Sequence, residues 1–408
     1  MKKIVIAGLM MDTNLGEELY PHCLKYLLLE SADFEINFRD LDFYGRAVRC
    51  ELNTAREKRK ELTGTQNLNF FQKSVIKFVN GICYRINQKE RAKHVVWTLN
   101  PNNRDRLYAY YAECLKDADL LVFGGGGIIE CSSNHDYHHY VGTILEIADE
   151  KNIPTVFNSV GLVVDKRHML GWNIMKQALN RSCVKAMTCR DGTDWINQNL
   201  YDGRIFASEL PCSAIFASEA YHIAKDTTSR IIGIGLIRGS IFTSYGNPVS
   251  QDNLLDLYEQ IVRKVLEMGY DCCIFTNGYS QDIQFGQLLA ERLSKSEHIS
   301  YALQPENGEE LVRTIASFKA MITARLHSII TAYSLNVPAV GITWTAKVSD
   351  FLNLVGRPEN AVPMEKLNAD NIITALEQAM QKGYDLEHRN ALKKRIRNKV
   401  AEMLTYLE

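Results

Sequence analysis

The feature that most constrains this chain is a recurring pattern. Short runs of Val, Ile, Leu and Phe are each followed by glycine or a polar turn, and then by a segment with helical periodicity. In the first half the runs are Ile4-Val5-Ile6, Leu120-Leu121-Val122-Phe123, Thr155-Val156-Phe157 and Ala186-Met187-Thr188. In the second half they are Ile231 to Leu236, Cys272 to Phe275, Ala320 to Thr323 and Ala339 to Ile342. Strands alternating with helices in this way read as parallel sheets. The expected fold class is therefore α/β, with two Rossmann-like, doubly wound parallel-sheet domains, and 408 residues suffice for both. The boundaries read as 1–215 for an N-terminal domain and 228–365 for a C-terminal one, with a hinge between 213 and 229. Residues 366–408 read as C-terminal helices that pack back on the first domain.

Between Arg46 and Arg106 the strand signal lapses, and fourteen Lys or Arg stand against five Asp or Glu. This insertion, 46–106, reads as helical and basic. Within it Phe70, Phe71, Ile76, Val79, Ile82, Cys83 and Ile86 recur at helical spacing, either as a face packed on the first domain or as one that docks on anionic lipid. The whole chain carries a formal charge of only −1, so no global field draws it to nucleic acid, and no nucleic-acid partner is expected. A composition of 46% hydrophobic and 23% charged residues excludes disordered, collagen-like and coiled-coil chains. Ten cysteines without a CxxC pair fit a reducing cytoplasm. Met1 to Gly8 reads as a first strand and not as a secretory signal. The longest near-apolar stretch, Leu120 to Ile129, is half the length needed to cross a bilayer. The expected location is the cytoplasm, or peripherally the inner face of the membrane.

Chemistry-bearing residues gather at strand ends. Gly124, Gly125, Gly126 and Gly127 follow one apolar run directly, so a ligand can approach their backbone closely, and their N–H groups point where a helix is expected to begin. No Gly-Lys-Ser/Thr follows, and the run is not a GxGxxG after the first strand, so ATP and NAD sites lose ground. Asn14 and Gly16 lie in the loop after the first strand, where open α/β sheets bind ligands. Arg190 ends another strand, and Asp191 stands where a helix cap is expected. His135, His138 and His139 with Asp136 have a spacing a metal could use, but loop histidines beside the glycine run are the preferred reading and no metal is expected. The densest segment is Arg325-Leu326-His327-Ser328, a polar elbow between a strand and a helix, where side chains and helix N-terminus converge on one anion. A structural Arg–carboxylate pair and a core histidine are the competing readings there. Lys347 adds a cation after the next strand.

The order of these motifs resembles the polysaccharide pyruvyl transferase family. The resemblance runs from Ile4 to about Gly356 apart from the basic insertion. It rests most on Arg325 through Ser328, Pro338, Lys347-Val348 and Phe351, with support from Asn14-Leu15-Gly16, the glycine run and Arg190-Asp191. It implies a GT-B-like architecture, two Rossmann-like domains facing across a cleft, with the acceptor on the first and phosphoenolpyruvate on the second. It also implies transfer of a pyruvyl group from phosphoenolpyruvate to two hydroxyls of a sugar, in a capsule or exopolysaccharide or its lipid-linked precursor. The products are a ketal and phosphate, and no cofactor is required. His327 and Arg325 become the catalytic pair. Arg190, Lys347, Ser328, Asn14, Gly16, Gly124, Gly125, Gly126 and Gly127 become substrate ligands. The cations suit a small molecule bearing both phosphate and carboxylate. An imidazole, with an ordinary pKa of about 6.5, suits a proton that is given and taken.

Two positions depart from the family pattern: Glu17 replaces an aspartate, and Asp194 replaces a serine four residues after Arg190. Two other functions compete. One is a GT-B nucleotide-sugar glycosyltransferase, for which Glu309-Glu310 would recognise the ribose. The other is a non-catalytic sugar-binding or scaffold protein of a polysaccharide assembly complex.

Overall fold

All eight apolar runs become parallel strands. The structure, a computed structural model, describes residues 1–47, 70–85, 97, 101–131, 137–164, 169–244, 246, 249–293 and 295–407. The chain divides into two compact units, one of Met1–Asp12, Leu27–Cys212 and Arg397–Glu408, the other of Thr13–Tyr26 and Ser213–Ile396.

The first unit holds strands β1 (Lys2–Gly8), β2 (Ile36–Asp42), β3 (Leu120–Gly124), β4 (Ile129–Cys131), β5 (Thr155–Val160), β6 (Leu162–Val164), β7 (Val184–Cys189) and β8 (Ala207–Glu209). Six of them form one parallel sheet in the order β2-β1-β3-β5-β7-β8, and β4 pairs with β6 alone. The interior strands β3 and β5 are buried at every position, as expected where helices cover both faces. Helices Pro101–Cys114, Tyr137–Glu150 and Met169–Leu179 supply that cover through residues such as Leu107, Tyr111, Ile144 and Met175.

The second unit holds β9 (Ile231–Gly235), β10 (Asp271–Phe275), β11 (Ile299–Ala302), β12 (Ala320–Thr323), β13 (Ala339–Thr343) and β14 (Ala361–Pro363). Their order, β11-β10-β9-β12-β13-β14, is the doubly wound nucleotide-fold order. Three of its helices start on side-chain caps: Ser250, Asn307 and Asn368 each accept from the backbone N–H three residues on. The helix Gln251–Glu267 then buries Leu254, Tyr258, Ile261 and Val265 at three- and four-residue spacing against a core separate from that of the first unit.

Two stretches lie elsewhere than the sequence boundaries put them. Thr13–Tyr26 joins the second unit, because Leu15 N–H donates to Asn277 O at 2.9 Å, Gly308 N–H donates to Glu18 Oε2 at 2.9 Å, and His22 stacks on Tyr221. Of residues 366–408, only those from Arg397 onward join the first unit, where Arg397 meets Glu30 and Lys2 Nζ donates to Leu407 O.

The basic insertion is helical at Phe70–Arg85 and from Pro101 onward, and much of the rest lies outside the described residues. Phe70, Phe71 and Phe78 are 87%, 75% and 69% exposed, so the expected packing against the first domain is not made at these positions. Among the described residues no helix is long and apolar enough to cross a membrane.

Candidate active site

In the second sheet, chain progress reverses between β9 and β12, the point where open α/β sheets hold ligands at their carboxyl ends. The loops leaving that point carry Arg238 and Arg325, and both arginines turn to one carboxylate. Arg325 Nη2 pairs with Asp282 Oδ2. Arg238 donates its backbone N–H to Asp282 Oδ1 at 3.1 Å, and its Nη1 lies 3.4 Å from the same oxygen. Asp282 comes from the first turn of the helix Ser280–Arg292 and is fully buried, whereas the two arginine side chains keep 13–18% exposure. The Tyr279 ring lies 4.3 Å from Arg238 Cζ and 6.0 Å from Arg325 Cζ. One carboxylate against two guanidinium groups leaves a net positive charge at these strand ends. Arg325 Nε is also buried with no hydrogen-bond partner among the described residues. The structural-pair reading of Arg325 is therefore met in part, and Arg238 supplies the excess charge.

His327 lies in the first turn of the helix Leu326–Ser334 and is buried. A Cβ added at Gly16 would lie 2.4 Å from His327 Nδ1, so only glycine lets the loop after β1 come so close. That approach brings Glu17 Oε1 to 3.9 Å from the same nitrogen, near enough for charge attraction and too far for a hydrogen bond. Asn14 shapes the loop: its side-chain oxygen accepts from Gly16 N–H at 3.3 Å and its backbone carbonyl from Glu17 N–H at 2.9 Å. Ser328 is fully buried and donates to Asn277 Oδ1 at 2.6 Å. It joins the His327 helix to the loop after β10. Asn14, Gly16, Glu17, His327, Ser328 and Asn277 thus form one connected group. Lys347 is the second residue of the helix Ala346–Leu354, half-buried, after the strand β13 that adjoins β12.

In the first unit the glycine run leaves β3 at the corresponding switch point, beside β1. Gly125 and Gly126 have φ of 71° and 59°, a conformation glycine adopts freely. No helix begins there. The chain continues into β4, and Gly126 O accepts from Gly161 N–H at 2.8 Å. Just before, buried Ser159 has φ 50° and is held by Thr188 Oγ1 on its N–H and by Pro211 O on its hydroxyl, both at 2.8 Å. The resulting bulge brings Gly161 under the Arg190 guanidinium, where an added Cβ would lie 2.7 Å from Nη2. Asp191 does not cap the next helix, whose cap residue is Gly192. Its Oδ1 accepts from Leu162 N–H at 2.5 Å and its Oδ2 lies 3.4 Å from Arg190 Nε. Arg190 Nη1 is buried with no hydrogen-bond partner among the described residues. Arg190 and Gly124–Gly127 are thus joined through Gly161. The neighbouring thiol of Cys189 is no nucleophile, because burial, and then the Asp191 charge, push its pKa far up.

His138 and His139 are not loop histidines. Both are buried in the first turn of the helix Tyr137–Glu150, their rings 4.2 Å apart, with His139 stacked 4.9 Å from Trp97. His135 and Asp136 lie outside the described residues, among which no His, Cys, Asp or Glu cluster forms a metal site. Sequence reasoning missed Arg238, although it ends a strand as Arg190 and Arg325 do. Asp282, Asn277 and Gly161 carried no comparable signal.

The architecture is similar to that of solved UDP-GlcNAc 2-epimerases. The enzyme of Methanocaldococcus jannaschii is 12% identical over all of both chains, with a TM-score of 0.57. That of Neisseria meningitidis, bound to UDP-GlcNAc, is 12% identical over 99% of this chain and 100% of that one, with a TM-score of 0.53. That of Rickettsia bellii is 11% identical over 100% of this chain and 97% of that one, with a TM-score of 0.51. At such identity the likeness is one of fold, and it places this molecule among GT-B-like α/β proteins. No curated protein matches the sequence. The family model of the polysaccharide pyruvyl transferases matches residues 78–345, well over half of the chain, and the chain belongs to that family. The matched stretch contains Gly124–Gly127, Arg190, Arg238, Asp282, Arg325, His327 and Ser328, while Asn14, Gly16 and Lys347 lie outside it.

Proposed function

We propose that this transferase moves the pyruvyl group of phosphoenolpyruvate onto two hydroxyls of a sugar, in a surface polysaccharide or its lipid-linked precursor, in the cytoplasm. The observation that carries the reading is the doubled arginine at the switch point of the second sheet, with excess positive charge beside the buried His327. A phosphate and a carboxylate on three carbons need several cations and donors when partly desolvated. Arg325, Arg238 and Lys347 meet that need on the donor side. The glycine run and Arg190 of the first unit offer backbone and guanidinium donors to the acceptor.

In this reading a sugar hydroxyl adds to C2 of the enol while His327 delivers a proton to C3. The C2–O bond to phosphate then breaks, phosphate leaves, and the second hydroxyl closes the ring at C2. The hydroxyl protons pass to His327 and to the departing phosphate. The glycosyltransferase alternative would rest on Glu309 and Glu310, which already have partners in the structure. Glu309 pairs with Arg313 at 2.6 Å, and Glu310 accepts from Glu306 N–H at 2.7 Å while its own N–H donates to the Asn307 side chain, so both serve the start of their own helix.

Titration calorimetry with phosphoenolpyruvate tests the donor site. Arg325→Ala and Arg238→Ala are each expected to weaken binding by roughly 10- to 100-fold, the scale of a lost charge-assisted hydrogen bond. Unchanged affinity in both variants would remove the assignment.

A further inference from the structure

The helix Phe70–Arg85 belongs to neither group of site residues. At about 100° per residue, Phe71 and Phe78 fall nearly in line along one face, with Val75 half-buried beside them and Phe70 to one side. Three phenylalanines left more than two-thirds exposed on a single helix form an apolar patch of the kind that marks an interaction surface.

Charge decides what covers it. Lys73 and Lys77, both exposed, sit four residues apart on the same helix, and the surrounding 46–106 stretch carries nine more basic than acidic residues in a chain whose formal net charge is −1. By the same count Lys77 and then Lys73 follow Phe70 round the helix, on one side of the patch, and cations at the margin of exposed aromatic rings are the pattern of a helix lying in a lipid headgroup region, where rings enter the acyl boundary and ammonium groups meet anionic headgroups. A second copy of the chain would bring the same positive charges against themselves. Among the described residues no helix can cross a bilayer, so this helix would lie on the surface.

We propose that the helix Phe70–Arg85 docks this protein on an anionic lipid surface, inserting Phe70, Phe71 and Phe78 with Lys73 and Lys77 at the headgroups. The docking stands apart from the choice of donor, because it uses none of the residues assigned to catalysis.

Co-sedimentation of the full chain with large unilamellar vesicles tests it, using phosphatidylcholine alone and phosphatidylcholine mixed with phosphatidylglycerol. The wild type is expected to sediment with the mixed vesicles and far less with the neutral ones. Phe71→Ser with Phe78→Ser should weaken binding roughly tenfold or more. Each of Lys73→Gln and Lys77→Gln should weaken it roughly fivefold. The altered side chains are exposed, so thermal melts should match the wild type. The proposal is overturned if the wild type stays in the supernatant, if the variants bind as it does, or if sedimentation velocity shows the face closing a dimer that ignores vesicles.

Discussion

His327→Ala is expected to keep its fold and lose roughly 10²- to 10⁴-fold in turnover, the range of a removed general acid–base group. The imidazole is buried in a first helical turn, between the Gly16 loop on one side and the strand end bearing Arg325 on the other. Its neighbour Glu17 lies within ion-pair reach of it, and the arginine charge nearby is already shared with Asp282. Gly16→Ala should reproduce much of the loss by another route, because the new Cβ would displace the ring while leaving its chemistry intact. Steady-state phosphate release, compared at equal folded fraction by thermal melt, separates the two effects. Wild-type turnover in His327→Ala would end the assignment.

Asp282→Ala should be the most destabilising single change at the site. It removes a fully buried carboxylate and leaves Arg238 and Arg325 facing each other without a counter-charge. Breaking a buried pair in this way costs about 3–5 kcal/mol, and the residual exposure of both guanidinium groups puts the expected loss at the lower end, about 3 kcal/mol. Arg325→Ala in the Asp282→Ala background should recover part of that loss, since the variants share one network and are not additive. Urea denaturation of the four proteins of this cycle measures it. Simple addition of the two single effects would mean that Asp282 does not hold the arginines.

The interior of both sheets was legible in the sequence because parallel strands buried on both faces carry runs of apolar residues, as β3, β9 and β12 do. The four main-sheet strands without such a run, β2, β8, β11 and β14, are the four sheet edges. There Ile36–Asp42 carries the adjacent charges Arg39 and Asp40, and Ile299–Ala302 is at most half-buried. The candidate site was legible where a basic residue followed an apolar run, as at Arg190 and Arg325. It was hidden where its geometry rests on tertiary approach. One aspartate among 48 acidic residues gives no sign that two distant arginines will share it, and a lone glycine at 161 gives no sign that a guanidinium will lie on its backbone. The move of Thr13–Tyr26 into the second unit was likewise unreadable, since Leu15, Glu18 and His22 find partners more than 190 residues away along the chain.

The most direct measurement is mass spectrometry of lipid-linked and free saccharide acceptors after incubation with phosphoenolpyruvate and the full-length protein. The expected result is an acceptor carrying the added mass of a cyclic pyruvate ketal, formed together with inorganic phosphate and lost in Arg325→Ala. If the acceptors stay unmodified while UDP- or CMP-sugars are consumed in parallel reactions, the three-carbon donor and the chemistry built on it are wrong.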